Sequence, residues 1–194
     1  MSLDELKTHE DWSNFYIKML YWEMELEGLE DLAMLEIFQN QMKEANRFFA
    51  KFIENNYEYW IRNNDGPIMS NKILKRKLFP ILKRESHKTT LMLVIDNLRF
   101  DQWKMISPII ENHYQKEDES TYFSILPTAT HYARNSIFSG LMPLEMKNRH
   151  PELWVNENEE GGKNLNEASF LSALLDRNNI NSQFSYSKIT NLRA

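Results

Sequence analysis

Two residues of this chain stand where phosphorus chemistry is feasible. Asp96 ends the apolar run Leu91-Met-Leu-Val-Ile95, and Thr130 follows 34 positions later, just after Ile125-Leu-Pro-Thr-Ala. A carboxylate at the C-terminal end of a strand is a hard ligand for a divalent cation or an acceptor for a salt bridge. A hydroxyl where a strand gives way to a helix meets backbone N–H groups that lack intrahelical partners, and a dipole that favours negative charge. A phosphate group suits that place. Each residue also has a structural alternative, because Asp at a strand end caps a following helix and Thr opening a helix is usually its N-cap.

Ligands of open α/β sheets bind at the carboxyl edge of the strands, so the elements around these residues matter. Thr89 to Ile95 reads as a buried strand and Leu98 to Tyr114 as a helix containing Pro108. Thr121 to Leu126 reads as a second strand, and Thr130 to Ser139 as a helix stopped by Gly140. Leu165 to Arg177 is an amphipathic helix, and a third strand is expected around Phe184 to Ile189. This alternation predicts an α/β fold, with a partial, mostly parallel sheet and flanking helices. Asn156 to Lys163, with Gly161-Gly162, predicts a loop.

The N-terminal part has a different period. Large apolar residues from Trp12 to Glu27 fall at helical spacing, with Asp11 placed as N-cap and Gly28 as the stop. A longer helix from about Asp31 to Ile61 carries a heptad seam through Leu35, Phe38, Met42, Ala45, Phe49 and Phe52, continuing to Asn56 and Tyr59. Two such helices across a short break predict an antiparallel hairpin. The seam is longer than the first helix covers, which suggests a bundle or a homodimer contact. Asn63-Asn-Asp-Gly-Pro67 marks a boundary, and Ser70 to Glu85 is a basic amphipathic segment interrupted by Pro80. That segment reads as a solvated connector, with a phosphate-attracting face as the alternative. The expected organisation is a helical linker and dimerisation segment over 1–66, a basic connector over 67–87 and a catalytic-type domain over 88–194.

With 194 residues and 42% apolar content, the chain is large enough for a real core. A net charge of −5 disfavours general electrostatic attraction to DNA or membranes. There is no cysteine, so any metal must be held by Asp, Glu, His or hydroxyls. No apolar run approaches the roughly 18 residues of a spanning helix, so a cytoplasmic protein without a membrane partner is expected.

Pro127-Thr-Ala-Thr130, followed by Ser136 and Ser139-Gly-Leu-Met-Pro143, resembles the nucleophile segment of the alkaline phosphatase superfamily, including its nucleotide pyrophosphatase/phosphodiesterase members. Val94-Ile-Asp-Asn-Leu-Arg-Phe-Asp-Gln-Trp103 is closer still to one branch, the PglZ domain. The helical hairpin, with Trp12 and Tyr21-Trp22-Glu23, resembles the linker of PorX-type two-component response regulators. In those proteins a receiver, a helical segment and a PglZ domain follow one another. The resemblance implies Asp96 as a first-strand metal ligand, and Thr130 as both metal contact and alkoxide nucleophile. It also implies two zinc ions, one lowering the hydroxyl's pKa and one stabilising the leaving oxygen. Water would then hydrolyse the phosphothreonine. The implied substrates are phosphodiesters, including nucleotides and oligonucleotides, and the implied partner is a sensor histidine kinase acting through a receiver domain. Asn97 and Arg99 lie close enough in sequence to reach a phosphate, although no motif assigns them.

The family's other ligands come as an Asp/His pair and an Asp-x-x-x-His, and nothing after Thr130 matches them. His150 lies in a Pro-flanked loop, Asp176 ends a helix, and His131 is not at a family ligand position. His9, His87 and His113 have no partner at ligand spacing. The expectation is therefore the linker plus the N-terminal portion of a PglZ-type domain, inactive by itself and weak in binding zinc. The competing readings are a catalytically degenerate PglZ-like signalling module with a helical dimerisation element, and a small α/β domain with no site.

Overall fold

The computed structural model describes residues 2–27, 31–63, 65–84, 88–156 and 158–189; Gly28, Asn64 and His87 lie outside them. Among the described residues the helices are α1 (His9–Glu27), α2 (Leu32–Asn63), α3 (Phe79–Arg84), α4 (Phe100–Glu111), α5 (Thr130–Ser139), α6 (Pro143–Arg149) and α7 (Glu167–Arg177). The chain forms two compact units, Met1–Pro67 with Leu93–Thr121, and Ile68–Met92 with Tyr122–Ala194.

In the first unit α1 begins on a reciprocal cap. The Asp11 carboxylate accepts the Thr8 N–H at 2.8 Å, and Thr8 Oγ1 accepts the Asp11 N–H at 3.1 Å. Asp11 is thus the first-turn partner of the cap and not the N-cap. These backbone N–H groups hold its carboxyl below the ordinary carboxylate range. Asp31 caps α2, accepting the Ala33 and Met34 N–H groups at 3.1 Å. Met19 and Leu26 of α1 form a buried cluster with Phe38 of α2, while Trp12 meets Phe49 (5.3 Å) and Phe52 (5.9 Å). Residues early in α1 thus meet residues late in α2, so the helices run antiparallel. Near the end of α2 the buried position shifts from Tyr59, half exposed, to Trp60. A straight helix drifts about 20° per heptad against a strict seven-residue repeat, and three heptads of drift bring the next residue inward.

The expected partial parallel sheet is absent among the described residues, and the fold there is helical. Thr89 to Ile95 and Phe184 to Ile189 carry no regular secondary structure and belong to no ladder, and the parallel pairing that does form among the described residues is the isolated bridge between Met69 and Phe123. The reason is the choice of partners. Phe123 donates its N–H to Ile68 O (2.9 Å) and accepts from Ser70 N–H (3.2 Å), and the Ile125 N–H goes to Ser70 Oγ (3.1 Å). The second expected strand therefore pairs with the start of the basic segment, not with Thr89 to Ile95. Leu91 (79% exposed) and Leu93 (75%) remain in solvent, and β-propensity without a neighbouring strand does not make a sheet.

The second unit closes instead around α5 and α7. Leu74, Phe79, Leu174, Leu175 and Ile180 form one apolar cluster, and Phe138, Leu141, Met146 and Phe170 form another. A π-helical turn, Leu74–Leu78, leads into α3. Pro80, lacking an N–H, sits at the second position of α3, where the first turn tolerates it. Gly140 ends α5 at φ 63°, its N–H bonded to Ser136 O at 2.9 Å. A Cβ there would lie 2.6 Å from Leu174 Cδ1, and Leu174 is fully buried. Gly140→Ala is expected to lower stability by about 1–3 kcal/mol, from left-handed strain and overpacking together. Denaturant titration reads the change; an unshifted midpoint would contradict this account of the α5 terminus.

Candidate functional site

Thr130 is placed by what precedes and follows it. Ile125, fully buried and bonded through Ser70, fixes the chain just before the exposed turn 126–129, which includes a cis Leu126–Pro127 bond. The N-cap of α5 is Ala129, which has no side chain with which to cap. Its carbonyl accepts from the Tyr132 and Ala133 N–H groups, both at 2.9 Å. Thr130 is the first helical residue and is exposed, so its hydroxyl is not used as a cap. The N–H groups of Thr130 and His131 precede the first intrahelical bonds and add to the positive end of the helix dipole.

Behind Thr130, α5 is tied to α7 by a buried carboxylate. Glu167 is 2% exposed. It accepts from Arg134 Nε and from the Tyr186 hydroxyl, with Lys188 Nζ at 3.5 Å. The Asn135 amide donates to Lys163 O at 3.0 Å, anchoring the loop before α7 to the same helix. His131 packs its ring on Tyr132, with centroids 3.7 Å apart, and its Nε2 is a buried atom without a protein partner. Asn135 Oδ1 and Ser136 Oγ are in the same condition.

Asp96 is exposed in a turn with Asn97, whose φ of 59° is a left-handed conformation that Asn tolerates. The following helix, α4, starts at Phe100, with Arg99 as N-cap donating its N–H to Gln102 Oε1 at 3.0 Å. Asp96 is therefore not that helix's N-cap. The Arg99 guanidinium is engaged by Asp101, whose carboxyl it holds below the ordinary range. Asp96 belongs to the first unit and Thr130 to the second.

No group of three or more His, Asp or Glu that could hold a metal ion occurs among the described residues. Two donors do not hold zinc tightly, so the described donor set does not by itself fit that ion. His150 caps the end of α6, with Nδ1 3.6 Å from Glu152 and its ring edge on Phe170. His9 sets its ring edge on Trp60. The sequence reading missed the Glu167 network, because a lone Glu opening an amphipathic helix looks like an ordinary first-turn acid.

Comparison with known proteins gives two family matches. The model of the BREX system PglZ alkaline phosphatase-like domain matches residues 73–194, and that of the PorX response regulator linker domain matches residues 1–61. No curated protein matches the chain.

The Glu167 network has a titration signature. Burial first, and then the hydrogen bond to the Glu167 carboxylate, push the Tyr186 hydroxyl up from 10.0 to about 12. The folded state thus favours the protonated phenol. That stabilisation is complete below the unfolded pKa of 10.0 and is lost as pH rises from there to about 12. Urea unfolding across this window should show a loss of stability in the wild type beyond that of Tyr186→Phe. Identical pH dependence in the two proteins would contradict the network as described.

Proposed function

This chain belongs to the PglZ alkaline phosphatase-like family, and on that premise we propose that it is part of a two-component response regulator whose output is phosphodiester hydrolysis with Thr130 as nucleophile. The observation that carries the reading is the Pro127-Thr-Ala-Thr130 segment set at the uncapped N-terminus of α5, inside the family match. A phosphoryl group approaching there meets free helix-terminal N–H groups and the positive end of the helix dipole, both of which favour its anionic oxygens.

The reaction is a double displacement. A bond forms from Thr130 Oγ1 to phosphorus as the bond from phosphorus to one ester oxygen breaks, and the hydroxyl proton ends on the departing alcohol. The intermediate is a phosphodiester of Thr130 that keeps the second ester group; water then cleaves its bond to Thr130 Oγ1, restoring the hydroxyl and releasing the phosphomonoester. The helix terminus orients the phosphoryl oxygens through both steps, and the Glu167 network keeps α5 in register beneath it. Nucleotide and oligonucleotide phosphodiesters are the proposed substrates. Zinc is the expected ion and would supply Lewis-acid chemistry when bound, and Asp96 is proposed as one of its ligands.

The linker match supports the signalling half of the proposal. A sensor histidine kinase would act through a receiver domain ahead of α1, and the helical segment would join two copies. Tyr16, Tyr21, Trp22 and Ile37 are large side chains of α1 and α2 exposed for such a contact. A mass by light scattering that stays monomeric at every concentration would remove the dimer from this scheme. No described helix is long and apolar enough to cross a membrane, and a cytoplasmic location is part of the proposal.

Thr130→Ala and Asp96→Ala in the intact regulator test the enzymatic half. With zinc supplied, the general range for loss of a nucleophile or of a supporting catalytic group is about 10³-fold or more in kcat for a bis-aryl phosphodiester. Unchanged turnover in Thr130→Ala would eliminate it as nucleophile, whereas signalling without measurable turnover in the wild type would favour a catalytically degenerate binding module.

A further inference from the structure

The family matches and the packing do not divide the chain at the same place. The PglZ match starts at residue 73, yet Leu93–Thr121, which carries Asp96 and α4, packs in one unit with the linker region Met1–Pro67. Within that unit α4 is set against α1, with Cα atoms inside 8 Å. The side chains of both helices agree with that contact. On α1, Trp12, Met19 and Leu26 are taken up by α2. Leu20 is 6% exposed and lies outside that cluster. It stands one turn after Tyr16 and about 100° around the helix from Met19, so Tyr16 and Leu20 mark a second contact face. On α4 the covered positions are Phe100, Trp103, Lys104 and Ser107, one helical stripe, while Met105 and Ile109 on the other side are exposed. The Tyr16 hydroxyl points the same way: burial, and then the Asp101 carboxylate, raise it above its ordinary value.

α4 is braced along its length. The Trp103 N–H closes on Arg99 O at 3.0 Å. Glu119 accepts the Trp103 indole N–H at 3.0 Å and pairs with Lys104, and Lys116 pairs with Glu111 at 2.9 Å. These ties join the helix to the chain that returns after it. Asp96 and Asn97 precede the N-cap Arg99 by three and two residues, too few to uncouple the turn from the helix it enters. On the N-terminal side, Thr89 to Ile95 joins no ladder, and Leu91 and Leu93 stand in solvent. The regular element that places Asp96 is therefore α4, and α4 rests on α1.

We propose that α1 positions the candidate site: its Tyr16–Leu20 face clamps α4 and so sets the Asp96 turn, which makes the linker the control on that residue. The consequence for turnover rests on the phosphodiesterase reading; the clamp itself does not. A signal that shifts α1 acts on Asp96 only through contacts that differ between the two positions of α1, and the contacts with α4 are the ones that differ.

The test is the backbone order of the turn, read by 15N relaxation of this chain in three variants. In the wild type the Asn97 amide is expected at an order parameter of about 0.85, as in rigid backbone, and in Leu20→Ala below about 0.6. Tyr16→Ala, at a half-exposed position, should move it the same way by less, and it decides the matter if circular dichroism shows Leu20→Ala unfolded. Lys18→Ala, exposed on another face of α1, should leave it unchanged, as should every variant at Ala133 of α5. An unchanged Asn97 in folded Leu20→Ala and in Tyr16→Ala would overturn the clamp. So would a wild-type turn already below about 0.6, or an equal loss of order at Ala45 of α2, which signals general loosening. In the intact regulator, Leu20→Ala is expected to lower kcat for a phosphodiester about tenfold or more, since remote misplacement of about 1 Å reaches 10²-fold. If Thr130→Ala keeps its turnover, the phosphodiesterase reading fails while the order at Asn97 still decides the clamp.

Discussion

The second unit depends on one buried carboxylate. Glu167 draws the Arg134 guanidinium, the Tyr186 hydroxyl and the Lys188 ammonium to a single point, and those residues come from α5 and from the segment after α7. A buried charge with imperfect partners would be costly, so these contacts fix geometry more than they add net stability. What they fix is the rotation of α5. With Arg134 held, Phe138 faces Phe170 and Met146, Tyr186 sets its ring edge on Phe138 at 5.9 Å, and the first turn of α5 is presented to solvent. The exposure of Thr130 follows from that rotation and from the Ala129 start, which leaves the hydroxyl uncommitted.

The two ends of α5 then have different electrostatic characters. Its N-terminus offers unbonded backbone N–H groups, and its C-terminal carbonyl is bonded by Arg177.

Several elements were legible in the sequence because their determinants are local. The limits of α5 follow from helical spacing and from Gly140, and the start of α2 follows from the Asp31 cap. The sheet was not legible in the same way. Thr89 to Ile95 has β-rich composition, but pairing depends on a partner, and the partner of Phe123 was Ile68 and Ser70, from a stretch whose charge pattern suggests a solvated connector. Thr130 was singled out by its motif, and its place as first helical residue instead of N-cap required the backbone. The Glu167 network joins residues 134, 167, 186 and 188, which share no spacing a sequence can display.

The central claim is that Thr130 carries the phosphoryl group covalently. The most direct measurement is rapid acid quenching of the intact regulator during turnover of a phosphodiester, followed by peptide mass spectrometry. The account predicts, on the peptide containing Thr130, an adduct of the phosphoryl group with its retained ester substituent that accumulates within the first turnovers and disappears as substrate is exhausted. Sustained hydrolysis with Thr130 unmodified at every time, and the adduct on another residue or on none, would contradict it.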